Sequence, residues 1–93
     1  MEISFTDREL DVMAVLWERG KATVAEVREA LEDELAYTTV LTMLRNLEAK
    51  GYVRHEAEGR AHRYAPVIAR DAARRSALRH LASKLFKGSP HLL

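Results

Sequence analysis

Hydrophobic residues recur at intervals of three and four in the first half of the chain, which is the spacing of helices that bury one face. Thr6 and Thr23 each stand three residues before a glutamate, Glu9 and Glu26, and this is the pattern of a capping box at a helix start. Gly20 is expected to end the first helix. Its apolar positions, which we expect to face the core, are Leu10, Met13, Ala14 and Trp17.

The stretch AYTTVLTMLRNLEAKG, residues 36–51, predicts a third helix with two contrasting faces. One side gathers the apolar residues Val40, Met43, Leu44 and Leu47, which belong in the core. The opposite arc, roughly 120° wide, contains no acidic residue. We call it the polar arc, and it consists of Thr38, Thr39, Thr42, Arg45, Asn46 and Ala49. Solvated helix faces are usually built from glutamate, lysine and glutamine, so this composition indicates a different task.

Alternation replaces the helical spacing in YVRHEAEGRAHRYAP, residues 52–66, which predicts two strands joined as a hairpin. We expect the turn at Glu58-Gly59. The strand pairs would then be Val53 with Tyr64, Arg54 with Arg63, and His55 with His62. In this arrangement Val53 and Tyr64 cover the core, whereas Arg54, Glu56 and Arg63 share the outer face.

Helical spacing returns over residues 71–87, with an apolar stripe beside several basic residues. The stripe consists of Leu78, Leu81, Ala82 and Leu85. Ser89-Pro90 then has the pattern of an N-cap and first position of a further helix, three residues before the sequence stops.

The predicted order is helix, helix, helix, hairpin, helix. The fold class is therefore mainly α with a small β-hairpin: a winged helix-turn-helix, in which three helices form the core and the hairpin is the wing. We expect residues 1–67 to form this winged-helix domain, and residues 68–93 to follow it as a C-terminal region.

Charge is unevenly distributed along the 93 residues, although the net charge is only +1. Residues 1–36 hold four Lys/Arg against ten Asp/Glu, whereas residues 37–93 hold eleven Lys/Arg against four Asp/Glu. A basic half of this kind suits a polyanion. The chain lacks cysteine, an apolar run of membrane-spanning length and the pattern of a signal peptide, so we expect a cytoplasmic protein without a membrane partner.

The residue types of the polar arc are those expected of a helix that lies in the major groove of DNA. Threonine offers a hydroxyl and a methyl to base edges, Arg45 can contact guanine through two hydrogen bonds, and Asn46 can do the same with adenine. Tyr37 is interpreted as a contact to the DNA backbone at the groove edge, with partial burial as an equal alternative. In the wing, Arg60 lies at the tip and suits phosphate or a narrow minor groove. The predicted DNA-binding residues are Tyr37, Thr38, Thr39, Thr42, Arg45, Asn46, Arg60 and Arg63.

Three segments of the sequence resemble the penicillinase and methicillin-resistance repressor family, which also includes copper-responsive repressors. They are TDRELDVMAVLWERGKATVAEVREAL, YTTVLTMLRNLEAKGYVRHEAEGRAHRYAP and ALRHLASKLFKGSP, and they contain the specific patterns T-x-x-T-M-L-x-x-L-x-x-K-G from Thr39 and G-R-x-x-x-Y-x-P from Gly59. The resemblance implies a bacterial winged-helix repressor that binds a dyad-symmetric operator as a homodimer. Residues 1–67 would then be the DNA-binding domain, and residues 68–93 would begin a C-terminal dimerisation region that is truncated at its end. The residues expected to hold two copies of the chain together are Leu78, Leu81, Ala82, Leu85 and Phe86. The resemblance also implies an upstream sensor protease, which in the β-lactam systems cleaves within the C-terminal region.

The chain departs from that family in three ways. Ala36 stands where relatives often have a serine cap, and the cysteines of the copper-responsive branch are missing. Copper sensing of that type is therefore not expected. The sequence also stops where relatives continue with further C-terminal helices, so we expect either a fragment or a weak dimer that is induced by another route.

An enzyme is not expected, because the sequence lacks the residue spacing of a catalytic triad, a phosphate-binding loop and the H-E-x-x-H motif. Two other functions remain as alternatives to DNA binding. His55 and His62 could begin a metal site of a metal-responsive regulator, although no third ligand is evident and no cofactor is expected. Alternatively, the winged helix could serve as a protein-interaction module without DNA binding.

Overall fold

The structure, a computed structural model, describes residues 3–86. Its elements in chain order are α1 (Asp7–Arg19), β1 (Ala22–Thr23), α2 (Val24–Ala30), α3 (Tyr37–Ala49), β2 (Val53–Glu58), β3 (Ala61–Pro66) and α4 (Arg70–Phe86). The strands form one antiparallel sheet in the order β1-β3-β2. This confirms the predicted fold class and adds the short strand β1. The helix start predicted at Ser89-Pro90 lies outside the described residues, and the division at residue 67 stays a prediction.

Capping boxes begin α1 and α2, as predicted. The backbone N–H of Glu9 donates to the Thr6 hydroxyl (3.1 Å), while the Glu9 carboxylate accepts from the backbone N–H of Thr6 (2.9 Å). The same pair of bonds joins Thr23 and Glu26, at 3.2 and 2.9 Å. Each box satisfies two backbone donors that a helix end leaves open, which fixes where the two helices start.

The buried face of α1 differs from the predicted one. The core holds Val12, Met13 and Leu16, whereas Leu10 and Ala14 are exposed. The predicted and observed faces have the same residue spacing. The observed face begins with Glu9, and because a charged residue is not expected in the core, the sequence pattern did not indicate this face. Trp17 is half-buried and packs edge-on against Phe5, with the ring centroids 6.2 Å apart.

The core face of α3 is largely as predicted. Val40, Leu44 and Leu47 are fully buried, and Met43 is half-buried beside them. They pack with residues of α1, α2 and the sheet, including Val53 and Tyr64. Since the core holds this side of α3, the polar arc is left facing solvent.

The hairpin register was predicted wrongly by two residues. Val53 pairs with Pro66, His55 with Tyr64 and Glu56 with Arg63, so the connecting residues are Gly59 and Arg60. Gly59 adopts a φ of +61°, and the first position of a two-residue hairpin loop favours such a positive φ. Because the shift is an even number, Val53 and Tyr64 still share the core face.

No helix within residues 3–86 is long and apolar enough to cross a lipid bilayer.

Ala36 is the N-cap of α3 and makes no capping hydrogen bond through its side chain. Its backbone already has the extended conformation that capping residues adopt (φ −66°, ψ 149°). We therefore expect Ala36→Ser to raise the free energy of unfolding by about 1 kcal/mol, measured by urea titration. Ala36→Val adds atoms but no acceptor, so it is the matched control and should give no gain. Equal stabilisation by both variants would contradict the capping explanation.

Candidate nucleic-acid interface

The residues of the polar arc are all exposed on α3. Within residues 3–86, the side chains of Arg45 and Asn46 form no hydrogen bond or ion pair, so their donors are available to a ligand. The Thr42 hydroxyl donates to the carbonyl of Thr38 (2.9 Å) and keeps its acceptor capacity. Tyr37 is 47% exposed at the first position of the helix, which is compatible with the predicted contact at a groove edge.

The structure distinguishes the two predicted arginines of the wing. Arg60 lies in the turn, exposed and without an ion pair to any described residue. Arg63 is half-buried; its guanidinium binds Glu58 (2.5 Å) and Glu26 (3.1 Å), and these carboxylates, Glu58 foremost, raise its pKa. Arg63 could reach DNA only by leaving two partners. Its predicted DNA contact stays a prediction, whereas Arg60 is free to bind an anion.

Ion pairs also cover the outer face of the wing. Arg54 binds Glu56 (2.9 Å), and that hydrogen bond, with a smaller effect of Lys21, lowers the pKa of the Glu56 carboxyl. The wing therefore neutralises much of its own charge along the strands and presents an unpaired guanidinium at its tip.

A cluster that the sequence did not reveal joins α3 to the wing. The Glu48 carboxylate accepts a hydrogen bond from the backbone N–H of His55 (3.1 Å) and lies 2.6 Å from the His55 Nδ1. The His55 ring stacks on His62, with centroids 4.4 Å apart and planes inclined by 19°. Tyr64 lies beside His55, and burial, followed by the charge of Glu48, raises the pKa of its hydroxyl.

This geometry does not favour a metal site at the two histidines. An imidazole nitrogen binds a metal ion in the plane of its own ring, and the planes of the stacked rings are nearly parallel, so their nitrogens do not point toward one ion. One nitrogen of His55 is also already bonded to Glu48. Among residues 3–86, no three His, Asp or Glu side chains are grouped so that they could hold a metal ion.

A second surface lies along α4. The first half of the helix is attached to the core through Ala73 and Ser76, and the Ser76 hydroxyl accepts from the backbone N–H of Ile3 (3.1 Å). The second half carries three leucines that are more than half exposed: Leu78, Leu81 and Leu85. A groove of about 540 Å³ runs beside it, between α4, the segment before α1, and Leu10 and Trp17 of α1. Among the other predicted dimer residues, Ala82 and Phe86 are half-buried.

Comparison with known proteins agrees with this arrangement. The family model described as penicillinase repressor matches residues 5–93. The chain belongs to the penicillinase repressor family. The family is one of repressors and not of enzymes, in agreement with the interpretation of the sequence.

Two curated relatives are similar in sequence. The transcriptional regulator BlaI of Mycobacterium tuberculosis is 50% identical over 68 residues, which are 70% of this chain and 49% of that protein. The penicillinase repressor of Bacillus licheniformis is 37% identical over 65 residues, 68% of this chain and 51% of that protein. The chain thus spans about half the length of these relatives.

A solved structure supports the same assignment. The DNA-binding domain of the repressor BlaI, determined in solution, has a TM-score of 0.66 and 34% sequence identity. The match covers 75% of this chain and 90% of that domain.

Proposed function

We propose that this protein is a transcriptional repressor that binds a dyad-symmetric DNA operator as a homodimer. The observation that carries the proposal is the polar arc of α3, which is exposed, free of acidic residues and contains two side chains without partners among the described residues. Membership of the penicillinase repressor family supports it, as does the likeness to a DNA-binding domain.

In this proposal α3 enters the major groove. Arg45 reads guanine and Asn46 reads adenine through paired hydrogen bonds, and the short threonines let the helix approach the base edges. Thr38, near the helix start, holds a phosphate together with backbone N–H groups. Tyr37 contacts the DNA backbone beside it, and Arg60 anchors the wing on phosphate. Contacts to phosphate set the position, and contacts to bases set the sequence.

Duplex binding measured against salt concentration tests the proposal. DNA selected from a random pool by the purified protein would supply the operator, and the spacing of its half-sites would report the dimer geometry. We expect the affinity to fall steeply as salt rises, because binding releases cations condensed on DNA. A protein-interaction module would bind no duplex even at low salt.

Arg45 and Arg60 are expected to differ in what they contribute. Arg45→Ala should weaken binding to the selected operator about tenfold and relax the preference at one base pair. Arg60→Ala should weaken binding to all sequences alike and make the dependence on salt shallower by about one phosphate contact. Fluorescence anisotropy with operator and scrambled duplexes measures both effects. Identical behaviour of the two variants would contradict the division between base reading and anchoring.

We propose further that the two copies meet along α4. Three exposed leucines on one helix are a large apolar surface for a small domain, and such patches usually mark an interaction site. The remaining residues proposed for this interface are Ala82 and Phe86. The sensor protease that the resemblance implies stays a prediction.

A further inference from the structure

The wing is held differently along its two strands. Strand β3 lies in the middle of the sheet, where it pairs with β1 as well as β2, and Arg63 attaches it to Glu26 at the start of α2. Strand β2 is an edge strand and pairs only with β3. Its outer side would therefore carry unpaired backbone groups. Val53, at the start of β2, lies in the core with residues of α3, but every later residue of β2 is exposed, so core packing does not fix the rest of the strand relative to α3.

Glu48 attaches this part of β2 to α3. It lies in the last turn of α3, at the flank of the polar arc, and its carboxylate bonds both the backbone N–H and the ring Nδ1 of His55. An ionised carboxylate only accepts hydrogen bonds, so Nδ1 carries the proton in this contact. Among residues 3–86, these are the side-chain hydrogen bonds that join α3 to the wing.

We propose that Glu48 is a positioning residue for DNA binding: through His55 it sets the distance between the helix that reads the bases and the wing that carries Arg60. The inference rests on the function proposed above. Glu48 itself contacts no DNA in this scheme. It restricts the hairpin so that the Arg60 guanidinium reaches phosphate while Arg45 and Asn46 are seated in the groove, which lowers the conformational cost of making both contacts at once.

A double-mutant cycle between Glu48 and Arg60 tests the proposal. The affinity of the wild type, Glu48→Gln, Arg60→Ala and the double variant is measured by anisotropy on the selected operator. We expect Glu48→Gln to weaken binding roughly three- to fivefold, the range open to a partly exposed ion pair. In the Arg60→Ala background the same change should have almost no effect, because the position of the wing then no longer matters.

The controls separate positioning from loss of structure. Glu48→Gln keeps the shape and helix propensity of the side chain, and a thermal melt checks that the fold is intact. If Glu48→Gln damaged α3 itself, it would weaken binding by the same factor in the wild-type and Arg60→Ala backgrounds. Additive effects of the two substitutions on the binding free energy would therefore overturn the proposal. If the wild type binds no duplex at all, the proposed function fails as well.

The partner of Glu48 provides a second readout that a purely structural role would not change. In a His55→Ala background, Glu48→Gln should have a much smaller effect on affinity, because the ring that the carboxylate holds is already gone. His62→Asn is the matched control: it removes the neighbouring ring but leaves the bond between Glu48 and His55, so the effect of Glu48→Gln should persist. An effect of Glu48→Gln that is equally large with and without the His55 ring would overturn the role of His55.

Discussion

Replacing Leu81 with glutamate is expected to convert the protein to a monomer and to weaken operator binding by at least about a hundredfold. Leu81 is 52% exposed in the middle of the apolar stripe of α4, between Leu78 and Leu85. A carboxylate there would have to be buried without a partner in the dimer, at a large cost. Each half-site would then be bound separately, and the gain from binding two linked half-sites would be lost.

Sedimentation velocity at two protein concentrations measures the loss of the dimer. Fluorescence anisotropy on the full operator measures the loss of affinity. Ser83→Glu is the matched control, because Ser83 is exposed on the same helix but lies away from the leucine stripe. It should leave both the dimer and the affinity unchanged. A Leu81→Glu protein that remains dimeric, or a monomer that binds the operator as tightly as wild type, would contradict the assignment of this surface.

The parts of the fold that depend on local chemistry were predictable from the sequence. A capping box needs only four consecutive residues, and both boxes, at Thr6 and at Thr23, formed as expected. The two faces of α3 follow from helical geometry alone, since Val40, Leu44 and Leu47 are all on one side. Local rules of this kind hold because the interacting atoms are close in sequence.

The parts that depend on contacts between distant residues were predicted less well. Two faces of α1 have equivalent spacing, and the buried one packs on residues distant in sequence and includes Glu9, whose charge is compensated by Lys50, 41 residues away. The two-residue strand β1 is too short to show alternation, and it forms because β3 lies beside it. The pairing of His55 with Tyr64 likewise depends on the hairpin register, which was misplaced by two residues.

The pair formed by Glu9 and Lys50 is expected to contribute strongly to stability at neutral pH. The Lys50 ammonium lies 2.8 and 3.0 Å from the two carboxylate oxygens, and the Glu9 side chain is only 7% exposed. Burial by itself raises the pKa of Glu9, but hydrogen bonds from Lys50 and from the backbone N–H of Thr6 outweigh it. The net effect is a pKa below the ordinary value of 4.5.

A carboxyl group whose pKa is lower in the folded state stabilises the fold above its unfolded pKa, and the contribution disappears as the pH falls through the folded pKa. Lys50→Met should therefore cost about 2–3 kcal/mol at pH 7, because it leaves a buried carboxylate without its cation. The difference from wild type should shrink at pH values below 4.5, where Glu9 becomes protonated in both proteins.

Urea unfolding at pH 7 and at pH 3 measures this difference directly. Lys21→Met is the matched control, since Lys21 is exposed and its nearest carboxylate, on Glu56, is 4.0 Å away; it should change the free energy of unfolding by less than about 0.5 kcal/mol. Glu9→Gln combined with Lys50→Met should recover part of the loss, because the buried group is then neutral. A Lys50→Met penalty that stays constant between the two pH values would show that the lysine acts through packing of its aliphatic chain and not through the charge of Glu9.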